Sequence, residues 1–409
     1  MSDEQKKIRI PKILEENQYI TQPETLDIGK KNNSMIIGIP KEITMQENRV
    51  ALVPSAVGTL IGRGHRVIIE SGAGEKSKYL DNAYSEVGAD IVPDNREVYK
   101  ADVIMKVEPP TLTEIAMMHS DQLLISALQL PYISSDYIRR LRQKRVTALA
   151  LEYIRDNSGT FPIVRMMSEI AGLSAIITGA ELLTIAGNGR GVLLGGISGV
   201  PSAKVVIIGS GLVAENATRV ALGLGADVTI FDNNIYKLKR LQNLIGRPLN
   251  TSSLNPFQLE KELLRADIAI GAIHSKSGRT PVIASEDIVR KMKPGSVIID
   301  VSIDQGGCFA TSEVTTHKNP TFVKHDVIHY CVPNLASKVP RTASIAASNI
   351  LIPILLEAGE AGSIEQLLKT NSGLRNGVYT FKGALTNKYL AERFGQNFTN
   401  LNLLLPSRR

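Results

Sequence analysis

The stretch Lys204–Gly211, KVVIIGSG, limits what this chain can fold into more than any other segment. A largely apolar, β-branched run leads straight into two glycines, and helical spacing follows as far as Leu224. An apolar run without alternation is what a strand covered on both faces looks like, so it predicts a parallel sheet with helices above and below. Gly209 and Gly211 at a strand-to-helix turn permit a tight reversal and let backbone amides approach a pyrophosphate at the helix N-terminus. Ala214 takes the third small position, where helix and strand pack closely. Asp232 ends the next strand, DVTIFD, about 20 residues beyond the glycines. A carboxylate there accepts hydrogen bonds from the ribose hydroxyls of an adenosine half and repels a 2′-phosphate, which reads as an NAD site. Lys237, Lys239 and Arg240 nearby pull the other way. An ordinary tight turn in a parallel sheet is the plain alternative, and it accounts for the glycines alone.

The same alternation of strands and helices occurs twice. MIIGIP, RVIIES, DVIMKV, QLLISAL and VTALALE read as strands of a first unit, with helical segments such as SAVGTLIGRG and SSDYIRRLRQKR between them. KVVIIGSG, DVTIFD and SVIIDVS are strands of a second, with ELLRADIAIGA read as helical. Beyond Val339 the chain turns helical. The expected fold is α/β: two Rossmann-like, doubly wound parallel-sheet domains, the first completed by the C-terminal helices. The expected division is an N-terminal extension at 1–34, a substrate domain at 35–165 plus 340–409, and an NAD-binding domain at 166–339. Met166–Ala186 is the most apolar long stretch, yet it carries Glu169 and Glu181 and suits a buried helix better than a bilayer span.

The net charge of +7 comes from Lys and Arg scattered along the chain, and there is no Trp. Neither a basic arm nor a stacking platform for nucleic acid is visible. Cys308 and Cys331 are too few for a disulfide framework and lack metal-ligand spacing, so no metal is expected. The polar N-terminus is no signal peptide, and the expected location is cytoplasmic.

Several stretches resemble the alanine dehydrogenase family, whose fold is shared by the NAD-binding subunit of proton-translocating transhydrogenase. They are IGIPKEI with QENRVAL (37–52), VIMKVEPP (103–110), MSEIAG (167–172), VVIIGSG with GLGADVTIFD (205–232), MKPGSVIIDVSIDQGG (292–307) and VPRTASIAASN (339–349). The resemblance runs from about residue 35 to 395. It implies reversible oxidative deamination of L-alanine to pyruvate and ammonium, with hydride passing to NAD, in a homo-oligomer, typically a hexamer. It also implies a first domain split by the second. By resemblance Arg49 holds the substrate carboxylate, a task that suits a planar guanidinium fork. Lys106 contacts the carboxylate or carbonyl region, Asp304 stands beside the nicotinamide, Ser168 contacts the cofactor, and Asn334 lies in a nicotinamide-side loop. Taken singly, Arg49 and Lys106 could be solvated surface charges, the favoured reading for Lys106 alone, and Asp304 a turn cap; taken together in family order, they read as a site.

One departure matters. The family's catalytic histidine falls in a Leu-His-Leu segment, and here that segment is Leu128-Gln129-Leu130. Histidine moves protons near neutrality; glutamine does not titrate, although it donates and accepts hydrogen bonds. Asp304 is then the expected proton carrier, with Gln129 orienting the substrate's carbonyl oxygen. His274 is a substitute to consider, His329 reads as structural, and the other histidines read as surface or loop positions. The alternative is an NAD(H)-binding paralogue with weak or no alanine turnover, acting as a sensor or on another small amino or keto acid.

Overall fold

The computed structural model describes residues 34–44, 46–275 and 278–405; all but the last residue of the expected extension lies outside them. The first sheet is built from β1 (Ile36–Ile39), β2 (Arg66–Glu70), β3 (Asp90–Val92), β4 (Val103–Met105), β5 (Leu123–Ser126) and β6 (Thr147–Ala150). The second comprises β7 (Lys204–Ile208), β8 (Asp227–Phe231), β9 (Asn250–Ser252), β10 (Ile268–Gly271), β11 (Val297–Asp300), β12 (Thr321–Lys324) and β13 (Val327–Tyr330). Late in the chain, β14 (Val378–Phe381) and β15 (Ala384–Leu385) return to the first sheet.

The strand orders are β15-β14-β6-β5-β4-β1-β2-β3 and β12-β13-β11-β10-β7-β8-β9. Pairing is parallel throughout except at β12, β14 and β15, which lie antiparallel at the edges. Each sheet therefore reverses direction at one point, between β1 and β4 in the first and between β7 and β10 in the second. In doubly wound folds the crevice at the carboxyl ends of the strands flanking such a reversal is where ligands bind.

The central strands are buried on both faces, as their unbroken apolar runs require: β5, β6, β10, β11 and β13 are buried at every position. Two expectations change. ELLRADIAIGA is not one helix: a helix ends at Leu263, and Ile268–Gly271 forms a central strand. The C-terminal tail brings strands as well as helices, because Val378–Phe381 pairs with Leu149 and Ala148 of β6. Its long helix, Pro340–Ala361, packs Leu351, Leu355 and Ala358 into the core of the first sheet. The expected Met166–Ala186 helix runs from Pro162 to Leu182. At Gly172 a Cβ would stand 2.5 Å from the Val213 carbonyl oxygen, so only glycine lets this helix lie against the Leu212–Gly223 helix.

Candidate active site

The carboxyl ends of both sheets contribute side chains to one polar cluster between them. Arg49 follows β1, Glu108 follows β4, Gln129 follows β5, Asp304 follows β11 and Asn334 follows β13. Two of these residues carry left-handed backbone, Gln129 at φ 48° and Asn334 at φ 59°. Such conformations persist in non-glycine residues where the surroundings impose them, and they concentrate at functional sites. At Gln129 the cause is visible. The backbone N–H groups of Leu128 and Gln129 both donate to the half-buried Glu152 carboxyl, at 2.9 Å each. At Asn334 the backbone N–H donates to Asp304 Oδ1 at 3.1 Å.

Arg49 is the hub. Its Nε and Nη2 donate to Glu47 at 2.8 and 2.6 Å, Nη2 lies 3.6 Å from Glu108, and its side chain is 11% exposed. Glu47 accepts in addition from Ser337 Oγ at 3.0 Å and from Asn334 Nδ2. Burial works against the charge on Glu47, but the Arg49 guanidinium outweighs it and holds the carboxyl well below the usual range. Glu108 shows the opposite balance: burial, then the neighbouring Glu47 charge, push it up. It accepts from Gln129 Nε2 and, at 3.3 Å, from Asn334 Nδ2. The remaining edge of the guanidinium, Nη1, meets only the Met167 sulfur at 3.3 Å, a weak acceptor. That edge is where a stronger anionic acceptor fits.

Asp304 is exposed by surface area, so a ligand can reach it. The surrounding protein nevertheless solvates its charge poorly, and its pKa is pushed up to about 6 against the backbone N–H of Asn334 and the Arg49 charge. Ser168 is half-buried on the Pro162–Leu182 helix, one residue from Met167.

Lys106 is elsewhere. Its side chain is fully buried, with Nζ 2.9 Å from Glu114 and 3.1 Å from Glu42. Burial disfavours its charge, yet the two carboxylates outweigh that and raise its pKa. Glu114 also accepts from Tyr99 and closes a capping box with Thr111. The structure therefore places Lys106 in a packed ion cluster, not with Arg49, and puts Glu108 in the site instead. Breaking a buried ion cluster costs about 3–5 kcal/mol. Lys106→Met is expected to lower the denaturation midpoint by that much while leaving the KM for substrate near wild type. A raised KM with an unchanged midpoint would restore Lys106 to the substrate.

Three histidines lie in different settings. His329 is buried, hydrogen-bonded to Thr311 and the Val327 carbonyl, and structural. His317, read as an ordinary loop residue, is half-buried near Glu47 and Arg49, with Nε2 buried and unpartnered. His274 is exposed in the loop after β10.

The residues after β7 fit a dinucleotide. Gly209 has φ +116°, and a Cβ there would stand 2.3 Å from the Ala272 carbonyl oxygen, so the two loops at the strand-order reversal touch through backbone. Gly211 caps the Leu212–Gly223 helix without any side-chain hydrogen bond, and a Cβ on it would meet nothing within 4 Å. The first helical amides are thus free of side-chain caps and open to an anion. Ala214 is buried against the strand. Asp232 accepts from Ser210 N and Oγ at 2.9 and 2.6 Å and from Asn234 N at 2.7 Å, which ties it to the turn and leaves lone pairs for ribose hydroxyls.

Two facing doubly wound sheets, one with a phosphate-type turn and the other with an arginine–carboxylate cluster, define a two-domain dinucleotide-dependent class. Family models sharpen this: the "Alanine dehydrogenase/PNT, N-terminal domain" matches residues 38–171 and the "C-terminal domain" matches 175–388. The chain belongs to that family. It is 40% identical to "Alanine dehydrogenase" of Bacillus subtilis (strain 168) over 365 residues, covering 89% of this chain and 96% of the relative. It is 40% identical to "Alanine dehydrogenase 2" of Staphylococcus aureus (strain USA300), covering 90% and 98%. A solved "L-alanine dehydrogenase" superposes with a TM-score of 0.82 at 36% identity, covering 88% of this chain and 99% of that one.

Proposed function

We propose that this protein is an NAD-dependent amino-acid dehydrogenase of the alanine type: L-alanine, NAD⁺ and water give pyruvate, ammonium, NADH and a proton. The observation that carries the reading is Arg49, held by Glu47 with its Nη1 edge facing only a thioether, in a chain whose second sheet carries a glycine turn with an open, uncapped helix start. In this reading Arg49 grips the substrate carboxylate. Gly209, Gly211, Ala214 and Asp232 hold the adenosine-diphosphate half of NAD, and Ser168, Asp304 and Asn334 line its nicotinamide end. NAD⁺, when bound, accepts the hydride from the substrate α-carbon. Asp304 takes a proton from water as that water adds to the imine carbon, and returns it to nitrogen as the C–N bond breaks. A carboxyl near pH 6 is well matched to both halves of that exchange.

The substrate domain is assigned to residues 35–165 plus 340–409 and the NAD domain to 166–339. We place the protein in the cytoplasm as a homo-oligomer, a hexamer by family likeness. Support for these readings comes from the buried free thiols of Cys308 and Cys331 and from an apolar surface on the Pro162–Leu182 helix and the following loop. Leu173, Ile177, Ile185, Leu193, Ile197 and Val200 are all exposed there. Among the described residues, the two helices long and apolar enough to cross a membrane pack against the sheets.

NADH oxidation at 340 nm with pyruvate and ammonium tests the reading. Asp304→Asn is expected to reduce turnover by about 10²–10⁴. A base must be ionised to act, so wild-type kcat/KM for alanine rises with pH through about 6, and the variant loses that limb. Gln129 and Glu108 at the reacting end favour the second reading, an NADH-binding paralogue. Tight NADH binding with no turnover of any small amino or keto acid would establish it.

A further inference from the structure

Gln129 is held in one sense only. Its Nε2 donates to Glu108, while its Oε1 is buried and has no partner. An amide's two ends are distinguished by their neighbours, and turning this one would set its oxygen against a carboxyl oxygen. Burial and the neighbouring Glu47 charge push the Glu108 carboxyl up, and its Oε2 accepts from Gln129 Nε2. The main chain beneath it is fixed as well, because Glu152 holds the N–H groups of Leu128 and Gln129. A buried acceptor without a donor is costly, and the group that relieves it must bring an N–H or O–H. The charges around it point the same way: even with Glu108 neutral, the Glu47 and Asp304 carboxylates outnumber the Arg49 guanidinium.

We propose that Gln129 Oε1 accepts the N–H of the substrate's amino group, and that Glu108 is the positioning residue that fixes the amide in that sense. This rests on the dehydrogenase reading above and refines it: the cleft selects the amine-bearing partner of the reaction over the carbonyl-bearing one. It also replaces the expectation that Gln129 steers a carbonyl oxygen: the end of the amide left without any partner is the acceptor Oε1, while Nε2 already donates one of its two hydrogens to Glu108.

The test uses complexes that do not react. Enzyme saturated with NADH is titrated with L-alanine, and separately with pyruvate in the absence of ammonium, following NADH fluorescence. Wild type is expected to bind L-alanine more tightly. Gln129→Met, which keeps the length and removes the acceptor, is expected to weaken L-alanine about 10- to 100-fold and pyruvate less than about twofold, the scale of one hydrogen bond to a charged group. Glu108→Gln frees the amide to turn and is expected to shrink the preference in the same direction; it serves if the first variant fails to fold. Equal or larger weakening of pyruvate would overturn the proposal, as would no change in either ligand. Wild type that binds L-alanine but oxidises no small amine would sink the dehydrogenase reading and leave this one standing. Wild type that binds neither ligand would overturn it.

Discussion

Arg49→Ala is expected to lower kcat/KM for alanine by about 10²–10³ and to destabilise the fold by about 3–5 kcal/mol. Both losses follow from one position. The guanidinium is nearly enclosed, and among the described residues it is the cation paired with the Glu47 and Glu108 carboxylates. Without it Glu47 keeps its neutral donors, Ser337 Oγ and Asn334 Nδ2, but loses the charge that holds it ionised against burial. Removing one partner of a buried pair leaves the other uncompensated, which is where most of the cost lies. The catalytic loss has a separate cause, the Nη1 edge offered to the substrate carboxylate. Arg49→Lys separates the two. A lysine restores a charge near Glu47 but has no planar fork with a spare edge. Its unfolding midpoint is expected between those of wild type and Arg49→Ala, with kcat/KM close to the alanine variant. NADH affinity, read by fluorescence, is expected to stay within about twofold for both, because the glycine turn belongs to the other sheet. Full recovery of turnover with lysine would show that charge alone is what the site needs.

How far the sequence could be read depended on whether the signal was local. Val205–Ile208 declares a strand because a run covered on both faces has no polar residue to spare, and the turn after it is legible in two glycines and a spaced aspartate. Ile268–Gly271 was harder. Its apolar run is too short for periodicity to separate a strand from the end of a helix, and the parallel pairing with β7 and β11 decides it. β14 escaped because its partner, β6, lies more than two hundred residues earlier, and β15 is placed only by pairing with β14. The site shows the same division. Arg49 carries a family context, and Glu47 stands two residues before it, yet nothing in the spacing says that the two side chains meet. Lys106 and Glu108 lie on the same side of an extended chain, and charge type favoured the lysine as the partner of an anion. What sends Lys106 into the core is a pair of acids, Glu42 and Glu114, on other segments. Glu108 then takes the place in the cleft. Only tertiary structure contains that exchange.

The glycine turn offers a pair of substitutions that pull folding and cofactor binding apart. At Gly209 the backbone has φ +116°, outside what an L side chain adopts without strain, and a Cβ would lie 2.3 Å from the Ala272 carbonyl oxygen. Neither neighbour is a flexible tip that can yield, since Ala272 N–H is itself bonded to the Ile208 carbonyl at the end of β7. Gly209→Ala is therefore expected to displace the β7 and β10 loops together, lowering the unfolding midpoint and abolishing NADH binding. Gly211 differs in both respects. Its φ of −78° and ψ of −168° are ordinary for any residue, and a Cβ there meets nothing within 4 Å. A fold with no use for that space would tolerate alanine without consequence. A dinucleotide site would not, because the second glycine of the turn is where backbone and pyrophosphate approach one another. Gly211→Ala is expected to leave the thermal midpoint within about 1 °C while weakening NADH binding about 10- to 100-fold, the scale of one or two charge-assisted hydrogen bonds lost. If both variants bind NADH as wild type does, the turn after β7 is structural and the nucleotide lies elsewhere. If Gly211→Ala loses stability as well as affinity, the space beside it is filled by protein motion in solution, and the affinity loss says nothing about a pyrophosphate.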